Sequence, residues 1–401
     1  MYWEKKTKVN SVASLVGRDR YFMIRSHLKV VYDNDISNEE KASNKFWKVG
    51  PLLKSVRTGC VLNPKSETVA VDEQMIPFHG QSPARQVIKS KPNPCGVKNF
   101  VIAAPDGLPL DFFFYQGKGD PIVNDTRFEH LDVGGRAVIR LLENIPQGVS
   151  VYMDRYFNST HLLDLLHSEK GATGTGTLMK NRIPQDSKLK LDKDLKKQGR
   201  GSTDQSVRSD GQITVVKWFD NRPVILMSSK EGKLPVDQCR RWCRKTKQYI
   251  SVVRPLILKE YNSKMGGIDL LDRFISYYRM AARTKKWTIR VIKHMIDFSI
   301  AACWVEYRRD QNELGTRKRD ILDLMQFREK YANYLAYGTK EESDDDDSNF
   351  ESTLPPPRKK PRVSHPLDVL RTKNTLHLPE MPTPATKNRC RLPGCSQTQQ
   401  E

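Results

Sequence analysis

Two short apolar runs, each stopping at an aspartate, constrain this chain more than any other feature. In Thr68 to His79, TVAVDEQMIPFH, the run Val69-Ala70-Val71 delivers Asp72, and in Ser150 to Asp154, SVYMD, a second run stops at Asp154. Apolar runs of this length, rich in β-branched residues, read as strands, and a strand that ends in an acid sets that acid at the rim of a sheet. A third acid, Asp269, follows Gly266-Gly267 in KMGGIDLLDRF and opens a helical pattern. The glycines permit close backbone approach, and Asp272, three residues on, shares a helix face with Asp269. Two strand-end acids and one from a helix suit divalent-metal chemistry at a phosphodiester. Mg²⁺ takes carboxylate oxygens and keeps several waters, and two ions about 3.5–4 Å apart stabilise both the attacking and the leaving oxygen. An aspartate in such a place is also an ordinary turn-former or helix cap, so spacing alone leaves both readings open.

The elements around these acids follow an interpretable order. Helical spacing predicts two basic-faced helices at the start, over Arg18 to Val31 (Phe22, Ile24, Leu28) and Phe46 to Val56 (Trp47, Leu52, Leu53). From Glu67 the period becomes that of strands. After the Asp72 strand come Val97 to Ala104 and Leu110 to Tyr115, a β-meander bounded by Gly, Pro and Asp. A helix over Gly134 to Ile145 precedes the Asp154 strand. Then come a helix over Thr160 to Lys170, capped by Ser159 or Thr160, and a small-residue strand, Ala172 to Leu178. This β-β-β-α-β-α-β order, with acids ending its first and fourth strands, is that of a ribonuclease H-like α/β fold, a mixed sheet flanked by helices. A lysine-rich loop from Lys180 to Arg200, then strands Gln212 to Asp220 and Arg222 to Ser229, read as an inserted β-rich subdomain ending in the basic run CRRWCRKTK. Trp287 to Arg308 reads as an amphipathic helix striped by Ile289, Ile292, Met295, Ile296, Ile300 and Cys303.

Composition narrows the partners. A formal charge of +21 over 401 residues calls for a polyanion, nucleic acid first. No apolar run approaches the roughly 18 residues a spanning helix needs, and no signal peptide is visible at Met1, so a soluble intracellular protein is expected. Seven cysteines without framework spacing suit a reducing compartment. Cys239 and Cys243 lack a second pair and are read as plain thiols; GATGTGT from Gly171 lacks the Lys-Ser/Thr of a phosphate loop. Past Gly338 an acidic block, EESDDDD, and a Pro- and Thr-rich tail cannot bury a core and are expected to be disordered. Within that tail Arg358, Lys359, Lys360 and Arg362 form a Pro-bounded cluster of the kind importin reads as a nuclear localisation signal, although such clusters occur in any basic tail.

The strings VDEQMIPFHG, KPNPCGVKNF, VYMDRYFNST and YNSKMGGIDLLDRF closely resemble the motifs of piggyBac-type transposases and their domesticated relatives, in family order from about Ser11 to Asp310. The resemblance implies a ribonuclease H-like catalytic core with an inserted β subdomain and a split helical domain for dimerisation and DNA binding. It also implies metal-dependent cut-and-paste cleavage and strand transfer at TTAA sites in double-stranded DNA, through hairpin intermediates. The family's catalytic, metal-binding acids fall on Asp72, Asp154 and Asp269, with Asp272 matching a further acid. The expected division is therefore 1–66 helical, 67–180 core, 181–249 insert, 250–278 core, 279–337 helical and 338–401 tail. Candidate DNA contacts are Lys89, Lys91 and Lys98 beside the first acid, Arg155, Lys264, and Arg283, Lys285, Lys286 and Trp287 in RTKKWT; a solvated face for the lysines and a core anchor for Trp287 are the plain alternatives. The family ends in a cysteine-rich zinc module. Here only Cys390 and Cys395 stand in RCRLPGCSQTQQE, and two thiols cannot close a four-ligand site, so Mg²⁺ or Mn²⁺ but no zinc is expected. Two expectations follow: a nuclear, dimeric DNA transposase, or a domesticated, catalytically silent nuclear DNA-binding or chromatin protein. A truncated element product without a role is a third.

Overall fold

In the computed structural model, which describes residues 2–88, 93–281 and 283–338, the chain opens with helices α1 (Asn10–Ala13), α2 (Arg18–His27), α3 (Asn38–Ser43) and α4 (Gly50–Leu62). Strand β1 (Thr68–Pro77) follows and sends Val69 and Val71 to one core but Ala70 and Ile76 to another, as the two-residue period of a strand requires. Being buried on both faces, β1 occupies the middle of a layered α/β structure. Next come β2 (Arg85–Val87), β3 (Cys95–Ala103), β4 (Pro109–Phe114), α5 (Val133–Leu141), β5 (Ser150–Met153), α6 (Thr160–Lys170) and β6 (Thr173–Thr177). Among these, β1, β5 and β6 are parallel neighbours, whereas β3 pairs antiparallel with β1 and β4 antiparallel with β3. The expected order is present, with the short strand β2 added to the meander.

Helices α5 and α6 cover one face, their Val138, Leu141, Leu162 and Leu166 packing on Val69, Val71, Val151 and Met153. The Ser159 side chain caps α6 by accepting from the Leu162 N–H, and Gly171 closes it in the left-handed conformation. Strand β6 carries small residues because α6 lies so close: a Cβ added at Gly174 would sit 2.3 Å from a Leu163 methyl.

The remaining elements are α7 (Asp192–Gln198), β7 (Thr203–Val207), β8 (Thr214–Phe219), β9 (Pro223–Ser228), β10 (Val236–Cys243), β11 (Gln248–Pro255), α8 (Leu256–Lys264), α9 (Gly267–Tyr277), α10 (Trp287–Glu313) and α11 (Leu324–Tyr337). Strands β7 to β9 do not form a sheet of their own. β9 pairs antiparallel with β6, so the stretch expected as an insert prolongs the main sheet, ordered β2-β3-β1-β5-β6-β9-β8-β7 with β4 on β3. Among the described residues only β10 and β11 stand apart, as a two-stranded hairpin built partly from the run read above as merely basic.

Helices α4, α9 and α10 cover the second face over Ala70, Val101, Ala103 and Phe112. The stripe of α10 is wider than the expected one: Ile289, Ile292 and Met295 are buried as expected, but Ile296 and Cys303 are exposed, and Val291, His294, Asp297, Phe298, Ala301, Ala302 and Val305 are buried beside them. A hydrophobicity pattern misses this face because His294 and Asp297 lie within it. Asp297 is hidden because it accepts from Arg328 (2.8 Å) and from the Met280 N–H (2.9 Å). Of the two glycines before Asp269, Gly267 is the one that the packing needs, since a Cβ there would meet the Ala104 carbonyl oxygen at 2.4 Å. Gly267→Ala should therefore lift α9 from β3 and cost about 1–3 kcal/mol of stability, whereas Gly266→Ala, with nothing within 4 Å, should leave the urea midpoint close to wild type.

Candidate active site

The parallel pairing of β1 with β5 ends at Val71 opposite Met153. The next residue after each is an acid, so Asp72 and Asp154 stand side by side where the parallel ladder of β1 and β5 stops. Asp72 does not end its strand, contrary to the sequence expectation. β1 continues to Pro77, paired with β3 from Asp72 opposite Val101 to Pro77 opposite Gly96. What ends there is its neighbour on the other side, and that loss opens the sheet beside Asp72.

Asp154 is held by its surroundings, its Oδ1 accepting from the Arg155 N–H (2.6 Å) and from the Thr177 hydroxyl (2.9 Å) at the end of β6. Asp72 Oδ1 accepts from the Glu73 N–H at 2.7 Å. Asp269 lies in the first turn of α9, where the helix dipole favours a negative charge. The three acids meet electrostatically at one side chain, Tyr261 of α8. Burial pushes its phenol up, a hydrogen bond with Thr177 opposes this, and the charges of Asp154, Asp72 and Asp269 raise it further. Tyr261 and Thr177 were not singled out from sequence, although Tyr261 begins the string that carries Asp269.

Asp272 is placed differently from Asp269. It accepts a hydrogen bond from the Gln74 side-chain amide, and Gln74 lies two residues beyond Asp72 on the same face of β1. The Gln74 Oε1 in turn accepts from Asn99 (3.3 Å) and from His294 Nε2 (2.9 Å). Gln74, Asn99 and His294 are all buried, so a polar chain runs from α10 through β1 to α9 directly behind Asp72. Burial, then the charges of Arg279 and Arg290, hold the His294 imidazole down to about 3. It is therefore neutral, with its hydrogen on Nε2. Because this value lies below the unfolded one of about 6.5, no cost arises above pH 6.5. As the pH falls from there toward 3, the unfolded chain takes up a proton that the folded chain refuses, and stability falls by up to about 1.4 kcal/mol per pH unit. His294→Gln keeps a donor but cannot titrate, so chemical denaturation from pH 7 to 4.5 should show a flatter acid limb than wild type.

Beyond Asp72, the far end of β1 forms a wall of a cleft of about 1180 Å³. Pro77 to Gln81 line one side; Arg25 of α2, Arg283, Lys285, Lys286 and Arg290 line the other, and no acid is among the lining residues. Five residues of strand separate Asp72 from Pro77, about 17 Å. Arg25 donates to the Arg283 carbonyl (3.0 Å) and Lys286 to that of Ser26 (2.9 Å), tying α2 to the segment before α10. Of the basic residues predicted from sequence, Arg283, Lys285 and Lys286 thus come together, joined by Arg25 of the first basic-faced helix and by Arg290, which no sequence motif marked.

The other candidates separate. Arg155 is exposed beside Asp154, and Lys264 ends α8. Lys98 faces inward. It is 6% exposed, with its ammonium 4.3 Å from the Phe100 ring centroid and 4.2 Å from that of Tyr156, which corrects the expectation that it meets phosphate. Trp287 packs edge-on against Phe46 at 5.9 Å and joins the second core, in keeping with an anchor for α10. Lys89, Lys91, the cluster Arg358, Lys359, Lys360 and Arg362, and Cys390 and Cys395 lie outside the described residues. Cys239 and Cys243 are free thiols. Among the described residues no group of three or more acidic, histidine or cysteine side chains is drawn together closely enough to hold an ion, and no helix is long and apolar enough to cross a membrane.

Comparison with known proteins agrees with this architecture. The family model described as Transposase IS4 matches residues 1–304. The human piggyBac transposable element-derived protein 3 is 32% identical over 337 residues, covering 82% of this chain and 54% of that protein. Human piggyBac transposable element-derived protein 2 is 29% identical over 317 residues, 77% of this chain and 52% of that one. The chain thus spans about half the length of these curated relatives. Among solved structures, a piggyBac transposase determined by electron cryomicroscopy as a synaptic complex with hairpin DNA matches with a TM-score of 0.68 at 20% identity, covering 83% of this chain and 65% of that one. That likeness shows the fold, a large mixed sheet flanked by helices of the ribonuclease H-like kind. With the family model spanning three quarters of its length and piggyBac-derived proteins as its relatives, the chain belongs to the IS4-type transposase family, as a member of piggyBac type.

Proposed function

We propose that this chain is a magnesium-dependent transposase that cuts and joins double-stranded DNA at TTAA sites, with Asp72, Asp154 and Asp269 as the ion-holding carboxylates. The observation that carries this reading is the register of β1 on β5, which sets Asp72 beside Asp154, with Asp269 in the first turn of α9 and the charges of all three felt at the Tyr261 phenol. The donor set fits the ion by its chemistry, since it is all carboxylate oxygen, and Mg²⁺ commonly takes one or two protein carboxylates and completes its shell with water and substrate phosphate; Mn²⁺ accepts the same donors. Bound there, two ions supply Lewis-acid stabilisation of the attacking and leaving oxygens.

The chain's own residues do the rest. Thr177 fixes the orientation of the Asp154 carboxylate, and Gln74 fixes that of Asp272, which acts here by holding α9 in register with β1. The cations of the cleft grip the DNA backbone and so set where along the duplex the acids act. Nuclear entry through importin, by way of Arg358, Lys359, Lys360 and Arg362, and action as a homodimer complete the proposal. A fluorescent fusion lacking the cluster should stay cytoplasmic, and sedimentation should give twice the chain mass.

A second reading, a nuclear DNA-binding protein that no longer cuts, draws on the names of the human relatives, which describe element-derived proteins. Mg²⁺-dependent nicking and strand transfer on DNA carrying a candidate element end beside TTAA separates the two. Nicking by the wild-type chain that Asp154→Asn abolishes supports the enzyme. DNA binding with no nicking, at any divalent ion tried and with a chain lengthened at its carboxyl end, supports the second.

A further inference from the structure

The β10–β11 hairpin presents a surface that the acids and the cleft do not use. Its inner face is fastened to the body of the protein: Cys239, Ile250 and Val252 pack on Trp218, Leu226 and Ile257, Arg254 pairs with Asp237 through two hydrogen bonds of 2.8 and 2.6 Å, and the Trp218 N–H donates to the Val253 carbonyl at 2.8 Å. A free-standing two-stranded hairpin is marginal in water, so this packing is what holds it. The outer face has no such cover. Trp242 and Tyr249 stand directly opposite each other in the register, rings 5.2 Å apart, and remain 48% and 61% exposed. The Arg240 guanidinium lies 5.0 Å from the Tyr249 ring centroid. Arg244, Lys245 and Lys247, all exposed, occupy the turn. From Gln238 to Lys259 the chain carries no acid.

Two large aromatic rings left in water on a sheet face, beside guanidinium and ammonium groups and without a carboxylate, match a partner with flat π faces and negative charge. Unstacked nucleobases on a phosphate backbone have both. A protein interface also favours Trp, Tyr and Arg but is depleted in Lys, so Lys245 and Lys247 at the turn favour a phosphate backbone. The position also fits, because β11 runs through Pro255 straight into α8, the helix that carries Tyr261 beside the acids. We infer that the outer face of this hairpin binds unpaired bases of the DNA by stacking on Trp242 and Tyr249, with the turn cations meeting the adjoining phosphates. The choice of DNA rests on the function proposed above; the stacking surface itself rests on the hairpin.

The test uses the full chain and two fluorescent oligonucleotides with the same number of phosphates, a fully paired duplex and a shorter duplex that ends in a run of unpaired thymines. For the wild type, binding the second should quench tryptophan emission, and Trp242→Phe should remove most of that quench while keeping the affinity. Trp242→Ala and Tyr249→Ala should each weaken binding of the unpaired substrate by roughly tenfold and leave the paired duplex within about twofold. Both side chains are about half exposed, so unchanged thermal melts should accompany the loss. If the alanine variants bind both substrates as the wild type does, or lose both equally, the stacking surface is overturned. In that case a wild-type chain that still nicks DNA with Mg²⁺ leaves the proposed function standing. A wild-type chain that binds neither oligonucleotide overturns both.

Discussion

Asp154→Asn is expected to lower Mg²⁺-dependent nicking on the order of a thousandfold or more, with fold and DNA binding retained. The reasoning is local. The asparagine keeps an oxygen that can accept from Thr177 and from the Arg155 N–H, so the loop after β5 has no cause to move. What is lost is the negative charge that holds an ion. Stabilisation of transition-state charge by a bound ion is worth several kcal/mol, and about 4 kcal/mol is a factor near 10³. Asp72→Asn should behave alike, since Asp72 stands on the neighbouring strand at the same level. Asp272→Asn should be much milder, because its established partner is the Gln74 amide, which an asparagine oxygen also satisfies. Single-turnover nicking beside an anisotropy titration reads all of these. A full-rate Asp154→Asn would remove the acids from the chemistry.

The second large effect concerns the cleft. Replacing Arg283 and Lys285 together by alanine should weaken duplex binding roughly thirtyfold at 0.15 M salt, and should reduce the slope of log affinity against log salt by about two. Each phosphate contact releases about 0.9 of a counterion. Both residues are exposed and line the cleft, so their loss removes charge without opening a core. Lys98→Ala offers the contrast. Its ammonium sits against Phe100 and Tyr156, so this change should lower the urea midpoint and leave the salt slope unchanged.

Much of this protein is legible in its sequence, because much of it is decided over a few residues. The runs at Val69 and Val151, the capping Ser159 with the helix after it, and the small residues of β6 declare strand, helix and close packing through period, cap and size, and their order suffices for the fold. The positions of Asp72 and Asp154 at the stop of the parallel ladder were legible for the same reason, as breaks in apolar runs, and that of Asp269 as the start of a helix after two glycines. Tertiary structure alone decided the rest. It carries β1 past Asp72 because β3 goes on pairing after β5 has stopped. It widens the buried stripe of α10 to take in His294 and Asp297, each satisfied by a partner from another element. It turns Lys98 inward onto aromatic rings, and it joins β9 to β6 so that an apparent insert prolongs the sheet. A residue's tendency to be strand, helix or turn resides in its neighbours along the chain. Whether a strand gains a partner, or a polar group a bond that lets it be buried, depends on residues remote in sequence, 31 positions away for Asp297 and 220 for His294, and no local pattern records them.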